Sequence, residues 1–245
     1  MRTLLVFASF LLFSIPSPAQ SAPTDCQSLQ KEKQDMELTL RDWPELSRYR
    51  DENAKIGAPK KGESRVVFLG DSITDFWKLA EAFPGKPYVN RGISGQTTPQ
   101  MLLRFRQDVI ALQPKVVVIL AGTNDIAENT GPITVEGIED NVISMAELAQ
   151  KNNIRVVFAS ILPAARYSWR PDIPPVEKIH ALNTWMKEYA ARIGEEYLDY
   201  FSAMADAKSG LKAELGDDGV HPNPAGYAIM APLAEKAIAK ALAKH

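Results

Sequence analysis

A doubly wound, mostly parallel α/β sheet is the fold class this sequence predicts, and three observations predict it. Three short runs are apolar almost throughout: Val66, Val67, Phe68 and Leu69 after Arg65, residues 116–121 after Lys115, and residues 154–159. Segments with helical periodicity separate them, at residues 98–111, 134–151, 175–194 and 225–243. The first two runs each end in a glycine, Gly70 and Gly122, that opens a polar loop. The composition suits one globular domain: 245 residues, 45% hydrophobic and 24% charged, with a formal net charge of −2. No long run of one sign is present, so neither nucleic acid nor an anionic membrane is indicated as a partner.

Each element has a local reason. Arg2, an apolar run over residues 4–15 and the small residues Ser17 and Ala19 follow one another in the order of an export signal, with cleavage expected after Ala19. The apolar run is shorter than the ~20 residues a membrane span requires. A secreted or periplasmic location follows as the expectation. The single cysteine, Cys26, excludes an internal disulfide, and Pro23-Thr24-Asp25 before it does not form a lipoprotein cleavage box. No stable membrane anchor is therefore expected. Residues 20–62 read as a helical extension and linker. Leu29, Met36 and Leu40 can share one helix face; Trp43, Leu46, Tyr49 and Ile56 can share a second, with Pro44 near its start. Gly57 to Gly62 then reads as linker, and residues 63–245 as the main domain.

Within that domain the strand runs are β-branched and lack alternation, as expected of strands covered on both faces. Shorter candidate strands are Tyr88-Val89-Asn90 and Tyr197-Leu198-Asp199. Pro99 falls early in the helix at 98–111, a position that proline tolerates. Strand–helix alternation of this kind places ligands beyond the carboxyl ends of the strands. Four polar, glycine-bearing loops fall there or before the last helix: residues 70–75, 91–97, 122–125 and 218–222.

These loops hold the parts of an acyl-transfer site. A serine hydroxyl needs a base to take its proton, and histidine is the usual one. Of three histidines, His245 ends the chain and His180 sits inside a helical segment beside Ile179 and Ala181. His221 lies in a loop with Asp218 three residues earlier, a separation that lets a carboxylate fold back onto the imidazole. Asp217 is the competing acid and reads as solvent-facing. The backbone N–H groups of Ser72 and Gly95 and the Asn124 amide can donate to an oxyanion, with Gly92 an alternative to Gly95. Each residue also has a plainer reading: Ser72 as a helix cap, Asn124 as a turn residue, Asp71 as a loop brace, Asp75 as a cap for the next helix, and Asp125 as structural. In the loop at 162–175, Arg166, Tyr167 and Trp169 can contact substrate, or the two rings can simply pack the loop down. No Cys/His cluster suggests a metal, and no phosphate-binding glycine loop suggests a nucleotide cofactor. Two rival classes stay open: a metal-dependent phosphohydrolase using Asp71, Asp75 and Asp125, and a non-catalytic glycan-binding protein.

Taken in order, Gly70-Asp71-Ser72 with Thr74, the Gly95 loop, Gly122-Thr123-Asn124-Asp125 and Asp218-Gly219-Val220-His221 resemble the blocks of the SGNH (GDSL-like) hydrolases. The resemblance runs from Arg65 to the C-terminus. It implies a three-layer α/β/α, flavodoxin-like sheet of about five parallel strands. It also implies Ser72 as nucleophile, Asp218 and His221 as its partners, and Ser72, Gly95 and Asn124 as the oxyanion hole, with no cofactor. The resemblance lies closest to platelet-activating-factor acetylhydrolase-like proteins and secreted acetylesterases. A small-molecule or carbohydrate ester is then the expected substrate, with a short-chain lipid or lysophospholipid as the runner-up.

Overall fold

The computed structural model describes residues 26–244, without the side chains of Cys26, Gln27 and Thr39. The export signal expected over residues 1–19, the Cys26 thiol and His245 lie outside what is described. The chain divides into two compact units at Arg41/Asp42. The first carries one helix, α1 (Cys26–Arg41), on which Leu29, Met36 and Leu40 are exposed.

The second unit holds five strands: β1 (Val66–Gly70), β2 (Tyr88–Gly92), β3 (Val116–Leu120), β4 (Arg155–Ala159) and β5 (Glu196–Leu198). They form one all-parallel sheet in the order β2-β1-β3-β4-β5. The central strands read as continuous apolar runs because both faces are covered. Val66, Phe68, Val116, Val118 and Leu120 point into one apolar cluster, and Val67, Leu69, Val117 and Ile119 into another. On the first face lie the short helix α4 (Leu79–Ala82) and the last helix, α10 (Pro224–Ala243). On the second lie α5 (Thr98–Asp108), α7 (Val135–Lys151) and α8 (Val176–Ile193). This is the three-layer α/β/α fold expected.

Helix ends follow their sequence signals. Thr134 Oγ1 accepts from the Gly137 N–H at the start of α7. Asn223 Oδ1 accepts from the Ala225 and Gly226 N–H groups at the start of α10. Gly194 closes α8 in the left-handed conformation. Four short helices were not foreseen: α3 (Ser72–Asp75), α4, α6 (Thr123–Ile126) and α9 (Phe201–Met204). One turn of helix leaves too few residues for a periodic apolar pattern to show.

The segment before β1 differs from the helix expected over Trp43 to Ile56. Only α2 (Arg50–Ile56) is helical. The Asp42 carboxylate accepts from the N–H groups of Leu46 and Ser47, and Glu45 adopts a positive φ of 55°, so residues 42–49 turn instead. This stretch is built into the second unit. The Tyr49 hydroxyl donates to the Gly92 carbonyl at 2.5 Å, and the Arg91 guanidinium lies 4.4 Å from the Tyr49 ring centroid. Gln96 and Gln100 donate to the carbonyls of Pro44 and Trp43.

The sheet order creates a switch point. The chain leaves β1 toward β2 on one side, then returns to place β3 on the other. A crevice opens at the carboxyl ends of β1 and β3, where ligands of such sheets bind.

Candidate active site

The pairing register sets the stage. Gly70 pairs with Gly92 on one side and with Leu120 on the other, so three strands end level. Adjacent strands lie about 4.8 Å apart, so the loops that follow β1, β2 and β3 emerge side by side. They carry Ser72, Gly95 and Asn124.

Ser72 opens α3 directly after β1. Asp71 Oδ1 accepts from the Ile73 N–H at 3.0 Å, and the Asp71 carbonyl accepts from the N–H groups of Thr74 and Asp75. The Ser72 N–H, the first of the helix, has no acceptor among the described residues. The Ser72 hydroxyl lies 2.8 Å from His221 Nε2. On the other side of the ring, His221 Nδ1 lies 2.6 Å from Asp218 Oδ2. An ionised carboxylate only accepts, so Nδ1 carries the proton and Nε2 is left to accept from Ser72. Asp218 Oδ1 also accepts from the N–H groups of Val220 and His221, at 2.9 and 2.8 Å. Partial burial works to raise the Asp218 carboxyl. The bonds from the His221 ring and from those two N–H groups outweigh it and hold the group below the ordinary carboxylate range.

Two further loops complete the arrangement. Gly95 has φ +79°, a left-handed conformation that favours glycine, and an added Cβ would meet nothing within 4 Å. Its N–H has no acceptor among the described residues, whereas the Gly92 N–H, the alternative donor, is bound to Asn90 Oδ1 at 2.8 Å. Asn124 is buried in α6 after β3. Its Nδ2 donates to the Gln96 carbonyl at 3.1 Å, and its Oδ1 accepts from Asn129 Nδ2 at 2.8 Å. One of its two amide hydrogens therefore stays available.

The loops are cross-braced. Asp75 does not cap the next helix; its Oδ2 accepts from the Ser94 N–H and hydroxyl, at 3.2 and 2.7 Å, and so holds the turn that carries Gly95. Asp125 accepts from the Thr98 N–H and hydroxyl and ties α6 to the start of α5. Arg104 is fully buried on α5; it donates to the Gly70 carbonyl, Gln96 Oε1 and Asp108. A basic residue within the apolar stripe of Met101 and Phe105 was the available sequence signal for it. Asn90 donates to the carbonyls of Thr74 and Trp77, at 2.6 and 3.0 Å, and ties β2 to the end of α3. Asn90 carried no signal beyond its place in a short strand, and Asn129 none that separates it from an ordinary turn residue.

The three aspartates of the phosphohydrolase alternative are thus engaged in three different braces. No group of three His, Cys, Asp or Glu able to hold a metal occurs among the described residues. Asp71 is fully buried, and burial pushes its carboxyl up to about 7, with the Ile73 N–H and the His221 ring opposing the shift. Asp217 is exposed. His180 lies on the surface of α8, bonded to Ser209 at 2.9 Å and packed edge-on against Phe201.

In the loop at 162–175, Tyr167 is fully buried and its hydroxyl meets Thr123 Oγ1 at 3.1 Å. Its place is the packing one of the two readings open for it. Trp169 lies against it, with centroids 5.0 Å apart, and remains 40% exposed; Arg166 is exposed. The Phe76 ring lies 5.5 Å from the His221 imidazole. Phe76 fronts a cleft of about 530 Å³, lined also by Trp77, Pro222, Tyr227, Ala228 and Ala231.

A hydroxyl in contact with an oriented imidazole, beside free N–H groups at a sheet's switch point, is the equipment of an acyl-transfer enzyme. Comparison with known proteins agrees. The chain belongs to the GDSL-like lipase/acylhydrolase family, whose sequence pattern matches residues 68–229, more than half of the chain. It is an ester hydrolase by class. An acetylxylan esterase of Geobacillus stearothermophilus is 25% identical over 207 residues, covering 72% of this chain and 93% of that protein. The platelet-activating factor acetylhydrolase IB subunit alpha2 of Homo sapiens is 27% identical over 185 residues, covering 72% and 77%. The crystal structure of a GDSL-like lipase from Bacteroides thetaiotaomicron superposes with a TM-score of 0.78 at 44% identity, covering 81% of this chain and 98% of that one. A shorter match, to an uncharacterized lipoprotein of Bacillus subtilis, spans 52% of that protein. Among the described residues, no helix is long and apolar enough to cross a membrane.

Proposed function

We propose that the chain is an exported serine esterase that removes short acyl groups, acetyl above all, from carbohydrate or other small esters. The observation that carries the reading is the continuous contact from Ser72 Oγ through the His221 ring to Asp218, 2.8 and 2.6 Å at its two links. His221 Nε2 takes the hydroxyl proton as Ser72 Oγ attacks the ester carbonyl. The tetrahedral oxyanion accepts from the N–H groups of Ser72 and Gly95 and from the Asn124 amide. Collapse breaks the carbon–oxygen bond to the alcohol, which leaves with the proton from His221. Water then gives its proton to His221 and attacks the acyl-enzyme, releasing the acid and restoring Ser72.

Three observations support the finer parts. The acetylxylan esterase relative supports an acetyl group on a sugar. The exposed Trp169 beside the Asn124 loop supports a stacked ring. The order of charge, apolar run and small residues over 1–19 supports export. The apolar cleft behind Phe76 favours a second reading, an ester with an alkyl or aryl group, as in a short-chain lipid. Hydrolysis of p-nitrophenyl esters from acetyl to octanoyl, alongside acetylated xylan, decides between them. A steep fall after acetyl with acetate released from xylan is the expected result. Rates that hold to octanoyl without release from xylan would replace it with the lipid reading. A chelator is expected to leave the rates unchanged.

A further inference from the structure

The Asn124 side chain sits in a directed chain of hydrogen bonds that reaches the surface. Trp169 Nε1 lies 3.0 Å from Asn129 Oδ1, Asn129 Nδ2 lies 2.8 Å from Asn124 Oδ1, and Asn124 Nδ2 lies 3.1 Å from the Gln96 carbonyl. The direction is forced from both ends. An indole N–H only donates, so the Asn129 atom facing it is the oxygen. That turns the Asn129 amide nitrogen toward Asn124, which must answer with its own oxygen. At the far end a backbone carbonyl only accepts, which again requires the Asn124 nitrogen on that side. Asn124 is 3% exposed, and its amide cannot reverse without breaking bonds to both neighbours. The Asn129 N–H also donates to the Asn124 carbonyl at 3.0 Å, which fixes the spacing of the pair.

We infer that Asn129, oriented by Trp169, is a positioning residue that holds the Asn124 amide nitrogen toward the developing oxyanion. The inference rests on the proposed acyl-transfer reading and assigns a reaction role to two residues outside the Ser-His-Asp contact. It gives Trp169 a task at its indole nitrogen, distinct from any contact its ring makes with substrate. Asn129 itself need not touch the reacting atoms. An amide that must reorient during the reaction stabilises the oxyanion less than one already aimed, so the relay acts on kcat and little on KM.

The test is a double-mutant cycle on p-nitrophenyl acetate, with melting temperature measured for every variant. Asn129→Leu is neutral and close in shape; it removes the restraint and is expected to lower kcat about tenfold with KM changed less than about threefold. In an Asn124→Ala background the same change is expected to have no further effect. Asn129→Asp accepts from both neighbours and therefore pulls the Asn124 nitrogen away from the site. It is expected to lower kcat further than Asn129→Leu. An unchanged kcat in Asn129→Leu, with Asn124→Ala impaired, overturns the relay and leaves the oxyanion reading intact. An equal loss in both backgrounds, or Asn129→Asp no worse than Asn129→Leu, also overturns the relay. An unimpaired Asn124→Ala overturns the oxyanion role of Asn124 and the relay together.

Discussion

Asp71 illustrates how a residue beside Ser72 can be structural and still shape behaviour. One carboxylate oxygen accepts from the Ile73 N–H; the other has no partner among the described residues. Burial, helped by nearby Asp125, raises its folded-state pKa from the ordinary 3.8 to about 7, against the Ile73 bond and His221. The folded chain thus keeps a proton that the unfolded chain releases above about pH 4. Stability is full below that value and falls as pH rises through the window up to about 7. Asp125, raised to about 6 by burial against its bonds to Thr98, contributes with the same sign. Asp71→Asn keeps an acceptor for Ile73 and removes the titration. In urea unfolding at pH 8 the Asp71→Asn variant is expected to be more stable than the unaltered protein by about 1 kcal/mol or more, the two converging below pH 4. A variant less stable at pH 8 would contradict this. At this scale the sequence was most informative where chemistry restricts the choice. With three histidines, one in a polar loop three residues after an aspartate, His221 could be found by elimination. Asn129 could not, because an asparagine in a turn has a sufficient local explanation.

At the scale of elements, the site depends on how closely its loops approach. Gly216 is the clearest case. Its φ is extended, so the constraint is space. A Cβ there would lie 2.5 Å from the His221 carbonyl oxygen and 2.4 Å from Leu211 Cδ2. Gly216→Ala is therefore expected to push the His221 loop away from Ser72. A displacement below about 1 Å suffices to lower kcat about tenfold with little change in KM, and overpacking costs about 1–3 kcal/mol of stability. Steady-state kinetics and thermal unfolding of that one variant check both, and an unaltered kcat would show that the loop absorbs the change. The long elements were legible because their apolar periods extend over several turns or a whole strand; expected and observed bounds agree within one residue for α7 and α8. α5 ends sooner than residue 111, at Asp108. The short helix α3 and the turns at 42–49 are set by side chain to backbone bonds from Asp71 and Asp42, which no periodicity reports.

For the molecule as a whole, the sheet order places the chemistry. β1 lies between β2 and β3, so the three loops bearing Ser72, Gly95 and Asn124 converge although they are far apart along the chain. His221 arrives from a fourth loop, just before α10, which covers the face of the sheet opposite α5 and α7. The alternation of strands and helices announced this class of sheet, and the rule for strand ends pointed to the loops that carry the candidate site. The substrate is less legible, since Phe76 and Pro222, which line one cleft, and the exposed Trp169 are distant in sequence. The central claim is that Ser72 is the nucleophile of an ester hydrolase. Its most direct test is the rate of p-nitrophenyl acetate hydrolysis by Ser72→Ala, with its melting temperature matched to the unaltered protein. The account predicts a loss of about a thousandfold or more in kcat; hydrolysis at the unaltered rate would contradict it.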